Sequence, residues 1–335
     1  MTARITVIGA GAWGTALAMT ACANGHQVTL WTHRPEQAAQ MAASRVNPRL
    51  AGIVLPSELA FSDEMSCAAG SDAVIVAVPS YAMAATAEAL APHVGGGTIL
   101  ISATKGIEKD TGRRMSQILA QATGAPTAVL SGPSYADEVS RGKDTGIVAA
   151  CADRAVAEAV QQLMMNEHFR VYTSPDTVGV ELAAALKNII ALCAGVCDGL
   201  GCGDDTRALL MTRGLAETAR LGMALGARRE TFAGLAGMGD LIVTCTSLTS
   251  RNHRAGILIG QGHGVTQALT EIGAVVEGYY ATASAVQLAA AAKVEMPITQ
   301  AAWQVLYAGA KPQAVITLLM QRRGKAEAEQ AAWAR

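Results

Sequence analysis

Aromatic residues make up only 4% of this 335-residue chain, and the formal net charge is −1. Without stacking platforms for bases or an excess of positive charge, nucleic acid is excluded as a natural ligand. Charged residues are also sparse, 16% against 51% hydrophobic, which describes a folded globule and not a disordered chain. No uninterrupted apolar run reaches the ~18 to 20 residues needed to cross a bilayer, because Lys, Asp, Pro or Gly breaks each candidate. The first strand-like run begins within a few residues of Met1, leaving no room for a charged n-region, an apolar h-region and a cleavage site. A soluble, cytoplasmic protein is therefore expected. The seven cysteines include no C-x-x-C pair and are odd in number, which suits reduced thiols. Cys193, Cys197 and Cys202 lack a partnering His cluster, so they read as small buried thiols on an Ala-rich helix and no metal is expected. Internal repeats are lacking too.

What the chain has is a glycine turn in the right place. Ile5-Thr6-Val7-Ile8 reads as a short buried strand, Gly9-Ala10-Gly11-Ala12-Trp13-Gly14 has the G-x-G-x-x-G spacing, and Thr15 to Ala23 reads as a helix stopped near Asn24-Gly25. In that order Gly9 permits the sharp turn, Gly11 lets a diphosphate approach the main chain, and Gly14 lets helix and strand pack closely. The helix N-terminus supplies N–H groups and partial positive charge for the anion.

At this length about two domains are expected. In the first half, apolar runs at Gln27–Trp31, Ala73–Val78, Thr98–Ser102, Thr127–Leu130 and Thr145–Ala150 alternate with helical segments. Continuous apolar strands imply a sheet covered on both faces, so the fold class is α/β, an N-terminal Rossmann-type, doubly wound and mostly parallel sheet. From about Val178 the pattern becomes Ala/Leu-rich at helical period, with clear helices at 181–196, 207–225, 251–260, 281–292 and 298–308, and β-branched character remains at Leu241 to Thr244. This gives a dinucleotide-binding domain over 1–180 and an all-α C-terminal substrate domain over 181–335. The tail from Lys325 to Glu329 reads as a frayed helix.

Ligands of such a sheet lie beyond the carboxyl ends of its strands. Those ends carry the glycine turn, Pro79-Ser80, Ala103-Thr104-Lys105-Gly106 and Ser131-Gly132-Pro133-Ser134. Lys105 is either a ligand to a substrate oxygen or cofactor phosphate, or a surface lysine in a turn; Ser134 is a helix cap, a ligand or both. Lys187 has Ala183, Ala184, Ile190 and Ala191 on its helix face, an apolar setting that strips hydration and lowers an ammonium pKa toward the range useful for proton transfer. The alternative is a lysine snorkelling to solvent. Asp240 follows a glycine-rich segment read as a flexible loop and is either a partner for Lys187 or an ordinary turn or N-cap aspartate. Ser250-Arg251-Asn252 opens a helix with a capping hydroxyl, a guanidinium and an amide, and reads as an anion clamp or as simple capping beside a solvated arginine. Where the second strand of a dinucleotide fold ends in an acid for the adenosine ribose, this chain has Thr32-His33-Arg34. A 2′-phosphate meets no repulsion there, which favours NADP over NAD, although Glu36 is close by.

Taken together, Gly9 through Ala18, Ala103 through Ile107, Ser131 through Val139, Leu186 through Ile190, Gly234 through Leu241, and Thr244 through Asn252 with Glu277-Gly278 resemble the bacterial-type NAD(P)-dependent sn-glycerol-3-phosphate dehydrogenases, over nearly the whole length. The resemblance implies reversible reduction of dihydroxyacetone phosphate to sn-glycerol 3-phosphate, a role in supplying phospholipid synthesis, and a homodimer. It implies that Lys187 is the proton acceptor and that Lys105, Gly132, Ser134, Asp240, Ser250, Arg251 and Asn252 contact the triose phosphate. Trp13, His33, Arg34, Lys105, Ala136, Arg251, Val275 and Glu277 match cofactor contacts, with NADP(H) preferred and NAD(H) accepted. Two departures stand out: Asp205 where the family usually has Asn, and Tyr279-Tyr280 where smaller residues are common. These bear on the hydrogen bonding behind Lys187 and the packing around the nicotinamide. The competing readings are a β-hydroxyacid or polyol dehydrogenase that binds a carboxylate, and a non-catalytic NADP-sensing protein.

Overall fold

Eight strands share one sheet in the computed structural model, which describes residues 2–324, 326 and 327. They are β1 (Arg4–Ile8), β2 (Gln27–Trp31), β3 (Ala60–Ser62), β4 (Ala73–Val76), β5 (Ile99–Ser102), β6 (Thr127–Ser131), β7 (Thr145–Ala150) and β8 (Phe169–Ser174). Their order is β3-β2-β1-β4-β5-β6-β7-β8, and every neighbouring pair is parallel except β6 with β7. The helices among them are α1 (Ala12–Ala23), α2 (Pro35–Ser44), α3 (Met83–Leu90), α4 (Met115–Thr123), α5 (Ala136–Ser140) and α6 (Arg154–Met164).

Alternation along the strands explains the double winding. On β4, Ala73 and Ile75 join the core beneath α1 and α6, whereas Val74 and Val76 join the core beneath α3 and α4. Strand order reverses between β1 and β4. Ile8 is in register with both Trp31 and Val76, so the ends of the three strands open on one crevice.

The passage from sheet to helices falls between Ser174 and Thr177. Beyond it the described residues form α7 (Thr177–Gly199), α8 (Asp204–Ala224), α9 (Arg229–Ala233), α10 (Asp240–Thr246), α11 (Arg251–Gly260), α12 (Val265–Ile272), α13 (Glu277–Ala292), α14 (Pro297–Ala308) and α15 (Pro312–Met320). Helix α7 is the hub. By length and composition it is apolar enough to cross a bilayer, but 94% of its apolar window is buried inside the protein. Its facing glycines set the closest helix contact: a Cβ at Gly195 would stand 2.0 Å from the His253 carbonyl oxygen, and one at Gly256 would stand 2.0 Å from that of Leu192. This close approach brings the start of α11 beside the middle of α7.

Buried polar struts join the two halves. Glu181 of α7 accepts hydrogen bonds from the Ser116 backbone N–H at 2.8 Å and from its hydroxyl at 2.6 Å, and pairs with Arg114 at 2.5 Å. It therefore caps α4 from across the boundary.

Several expectations need correction. Strands β3 and β8 lie outside the runs expected from the sequence. The segment before Asp240 is no flexible loop but a π-helical turn, Leu235–Gly239, continuous with α10, so the β-branched run at Leu241 to Thr244 is helical. Gly237 serves close packing, since a Cβ there would lie 2.2 Å from the Phe232 carbonyl oxygen. The frayed helix expected from Lys325 to Glu329 falls mostly outside the described residues; Ala326 and Glu327, which are described, are not helical.

Candidate active site

The crevice beyond β1, β4, β5 and β6 is closed on its far side by α7, α10, α11 and α13. Lys187, at the middle of α7, is 6% exposed, and its helix neighbours Ala183, Ala184, Ile190 and Ala191 are all buried. Its Nζ donates to Asp240 Oδ1 at 2.6 Å and to Thr244 Oγ1 at 2.5 Å. An ammonium has three N–H bonds, so one is left for a ligand. Asp240 and Thr244 stand one helical turn apart on α10, and the Thr244 hydroxyl also donates to the Asp240 carbonyl. Burial drives the Lys187 pKa from 10.5 down to about 8, against the opposing pull of the Asp240 carboxylate, and the Lys105 charge lowers it further.

Asp240, 1% exposed, is the meeting point of two lysines. Lys105, on the loop after β5, reaches its Oδ2 at 2.7 Å and donates to the Gly132 carbonyl at 3.1 Å. Lys105 is thus tied into the site and is not a free surface lysine. The Ser134 hydroxyl donates to the same Gly132 carbonyl at 3.0 Å, and the Tyr135 hydroxyl reaches the Val243 carbonyl of α10, so the loop after β6 is stitched to the helical half.

Helix α11 presents its N-terminus to this region. Ser250 is its N-cap, with Oγ accepting from the His253 backbone N–H at 3.3 Å, and His253 is tied in turn to Asp198 near the end of α7. Arg251, the first helical residue, is exposed. Asn252 is buried: its amide donates to Asn188 Oδ1 at 2.9 Å and its oxygen accepts from the Gly278 N–H at 2.8 Å. One amide N–H of Asn252 remains for a ligand. Glu277 opens α13 and accepts from the Ser80 hydroxyl at 2.9 Å, which binds α13 to the loop after β4. Burial raises its pKa, and the Ser80 hydrogen bond pulls the other way. Val275 lies just before it in the segment leading into α13.

At the other end of the crevice, Gly9 has φ +113°, and a Cβ there would sit 2.6 Å from the Ala77 carbonyl oxygen; at Gly14 it would sit 2.0 Å from that of Gly9. At Gly11 the same atom would meet nothing within 4 Å, so this backbone is open on the ligand side. Helix α1 starts at once, with Ala12. The buried Trp13 indole N–H has no partner among the described residues, and Ala136 packs on the core beside α1. These features fit the diphosphate of a dinucleotide. His33 and Arg34 follow β2 and are exposed; the Arg34 Nε donates to the His33 ring nitrogen at 3.3 Å.

Asp205 is exposed in the first turn of α8, far along that helix from Leu215 and Thr218, which line a small cavity with Lys187. It is therefore not part of the hydrogen bonding behind the lysine. Tyr279 packs against a core of the helical half and stacks on Tyr307 at 4.6 Å between ring centroids, while Tyr280 points outward, 48% exposed. Neither Thr244 as a lysine partner nor Asn188 is expected from the sequence, and the Pro79-Ser80 strand end is expected there without its partner Glu277. Thr244 is legible once Asp240 is placed on a helix, because it lies four residues on.

Family models described as the N-terminus and the C-terminus of NAD-dependent glycerol-3-phosphate dehydrogenase match residues 4–157 and 176–317. The chain is 48% identical to glycerol-3-phosphate dehydrogenase [NAD(P)+] of Moorella thermoacetica, over 98% of this chain and 99% of that one. With the enzyme of the same name from Desulfitobacterium hafniense the identity is 47%, over 98% and 94%. The crystal structure of glycerol-3-phosphate dehydrogenase from Coxiella burnetii superposes with a TM-score of 0.91 at 35% identity, covering 96% of this chain and 99% of that one. The chain whose glycine turn and buried lysine face one crevice belongs to the NAD-dependent glycerol-3-phosphate dehydrogenase family.

Proposed function

We propose that the chain reversibly reduces dihydroxyacetone phosphate to sn-glycerol 3-phosphate with a nicotinamide dinucleotide, NADP(H) in preference to NAD(H). The observation that carries this reading is the buried Lys187 ammonium, fixed by Asp240 and Thr244 with one N–H to spare. When bound, the reduced nicotinamide supplies the hydride that the carbonyl carbon accepts. Lys187 Nζ then gives its proton to the carbonyl oxygen as the alkoxide forms, and in the reverse direction it takes the proton from the alcohol. A pKa near 8 keeps both directions open at neutral pH.

Asp240 fixes the direction of the Lys187 ammonium and raises its pKa against the desolvation of the site. Lys105, Gly132 and Ser134 line the triose side of the crevice. Ser250, Arg251 and Asn252 hold the substrate phosphate: the guanidinium binds it bidentately, and the α11 N-terminus adds backbone donors and partial positive charge. Anchoring that non-reacting phosphate orients the carbonyl and contributes binding energy to the rate. The exposed Arg34, with no acid at the end of β2, favours a 2′-phosphate on the adenosine ribose. The product is the glycerol phosphate backbone of membrane phospholipids.

Loss of NADPH absorbance with dihydroxyacetone phosphate, measured beside a panel of 3-oxo acids, tests the assignment. Turnover with the triose phosphate alone is expected. Turnover with the 3-oxo acids alone, or silence across the panel despite dinucleotide binding, would replace it with a carboxylate dehydrogenase or a nucleotide sensor respectively.

A further inference from the structure

Asn47 is wholly buried, at 0% exposure, in the segment between α2 and β3, and no step of the chemistry above uses it. Its Nδ2 donates to the Ala10 carbonyl at 3.1 Å and to the Thr15 hydroxyl at 2.8 Å, while its Oδ1 accepts from the Arg49 backbone N–H at 3.0 Å. These partners leave the amide only one orientation, since flipping it would set oxygen against a carbonyl and N–H against N–H. A second amide reaches the same carbonyl: Gln37 Nε2 of α2 donates to Ala10 at 3.3 Å, and its Oε1 accepts from the Thr32 hydroxyl at 2.8 Å.

Two donors on one backbone oxygen have a directional consequence. In a trans peptide the C=O and the following N–H point opposite ways, and no described peptide here is cis. Holding the Ala10 oxygen toward Asn47 and Gln37 therefore turns the Gly11 N–H the other way, away from the buried amides. Gly11 is exposed and has no atom within 4 Å of where a Cβ would stand. Through Thr15 the same Asn47 side chain clamps the first turn of α1 to the peptide that precedes it.

We infer that Asn47, supported by Gln37, is a positioning residue that fixes the Ala10–Gly11 peptide so that the Gly11 N–H and the α1 N-terminus face the diphosphate of the cofactor. This rests on the dinucleotide reading of the crevice. Because the diphosphate is common to both cofactors, the effect is indifferent to the 2′-phosphate, in contrast to that of Arg34.

The test is calorimetric titration of the folded enzyme with NADPH, NADH and ADP-ribose, alongside thermal unfolding. Asn47→Ala is expected to weaken all three about equally, by roughly tenfold. Asn47→Asp keeps the acceptor for Arg49 but sets a carboxylate oxygen against the Ala10 carbonyl, and is expected to lose at least as much. The KM for triose phosphate at saturating cofactor should stay within about twofold, because no phosphate-clamp residue is touched. Gln37→Met, on a half-buried site, provides the same readout with a severalfold loss should the Asn47 variants not fold. A folded variant with a lowered melting temperature but unchanged dinucleotide affinity would overturn the proposal and leave Asn47 a purely structural residue. Weakening confined to NADPH would overturn it too. Failure of the wild-type enzyme to bind any of the three would instead sink the dinucleotide reading itself.

Discussion

Lys187 and Arg251 lie on adjacent helices, carry the same formal charge and face the same crevice, yet one is 6% exposed while the other keeps surface exposure even though its partly desolvated surroundings lower its pKa. Alanines and isoleucine surround the first, and only a carboxylate and a hydroxyl keep it charged. The second stands at a helix N-terminus, and a guanidinium stays protonated in either setting. The contrast teaches how this fold divides its cations. Burial makes a proton mobile near neutral pH, whereas exposure keeps a charge fixed for holding an anion.

Removing the mobile proton should cost most. Lys187→Met keeps the volume of the side chain and is expected to reduce turnover by roughly 10²- to 10⁴-fold, with dinucleotide affinity within about twofold of wild type. Stopped-flow turnover and a binding titration on the same preparation check both halves; comparable turnover would erase the distinction between the two cations. Next comes the fixed charge. Arg251→Leu is expected to lower kcat/KM for the triose phosphate by about 100-fold while leaving the pH profile in place, since it removes anchoring and not the proton donor. A shifted profile would mean that the two cations are not separable. The smallest effect belongs to the exposed Arg34 at the far end of the crevice: Arg34→Ala should raise the KM for NADPH by roughly three- to tenfold and leave that for NADH alone. Equal loss with both cofactors would remove the basis for the NADP preference.

What was legible in the sequence follows the same divide between local and distant causes. The glycine turn, the Ser250 cap and the apolar face of Lys187 depend on residues within a few positions of one another, and each is readable from spacing. The pairing of Lys187 with Asp240 was open, because it requires α10 to be a helix. The glycines at 234, 237 and 239 read as a loop, yet Gly237 and Gly239 lie in the π-helical turn, where Gly237 packs directly on the Phe232 backbone. Strand β8 alternates buried and exposed residues as an edge strand does, but its mixed Phe-Arg-Val-Tyr run lacks the continuous apolar character of the central strands. Strand β3 is too short to show any period. Asn47 gives no local signal, since its partners Ala10 and Thr15 lie more than thirty residues away in sequence.

The account turns on a buried amine that carries its proton at neutral pH and gives it up near pH 8. The direct measurement is kcat/KM against pH, from 6 to 10 at saturating cofactor, in both directions and for Asp240→Asn beside the wild type. Reduction needs the ammonium, so it should fall as pH rises through about 8; oxidation needs the free amine, so it should rise through the same value. Asp240 raises the Lys187 pKa, so its replacement should move both inflections down by about one to three units. Profiles flat through pH 8 in the wild type, or inflections that Asp240→Asn leaves where they were, would contradict it.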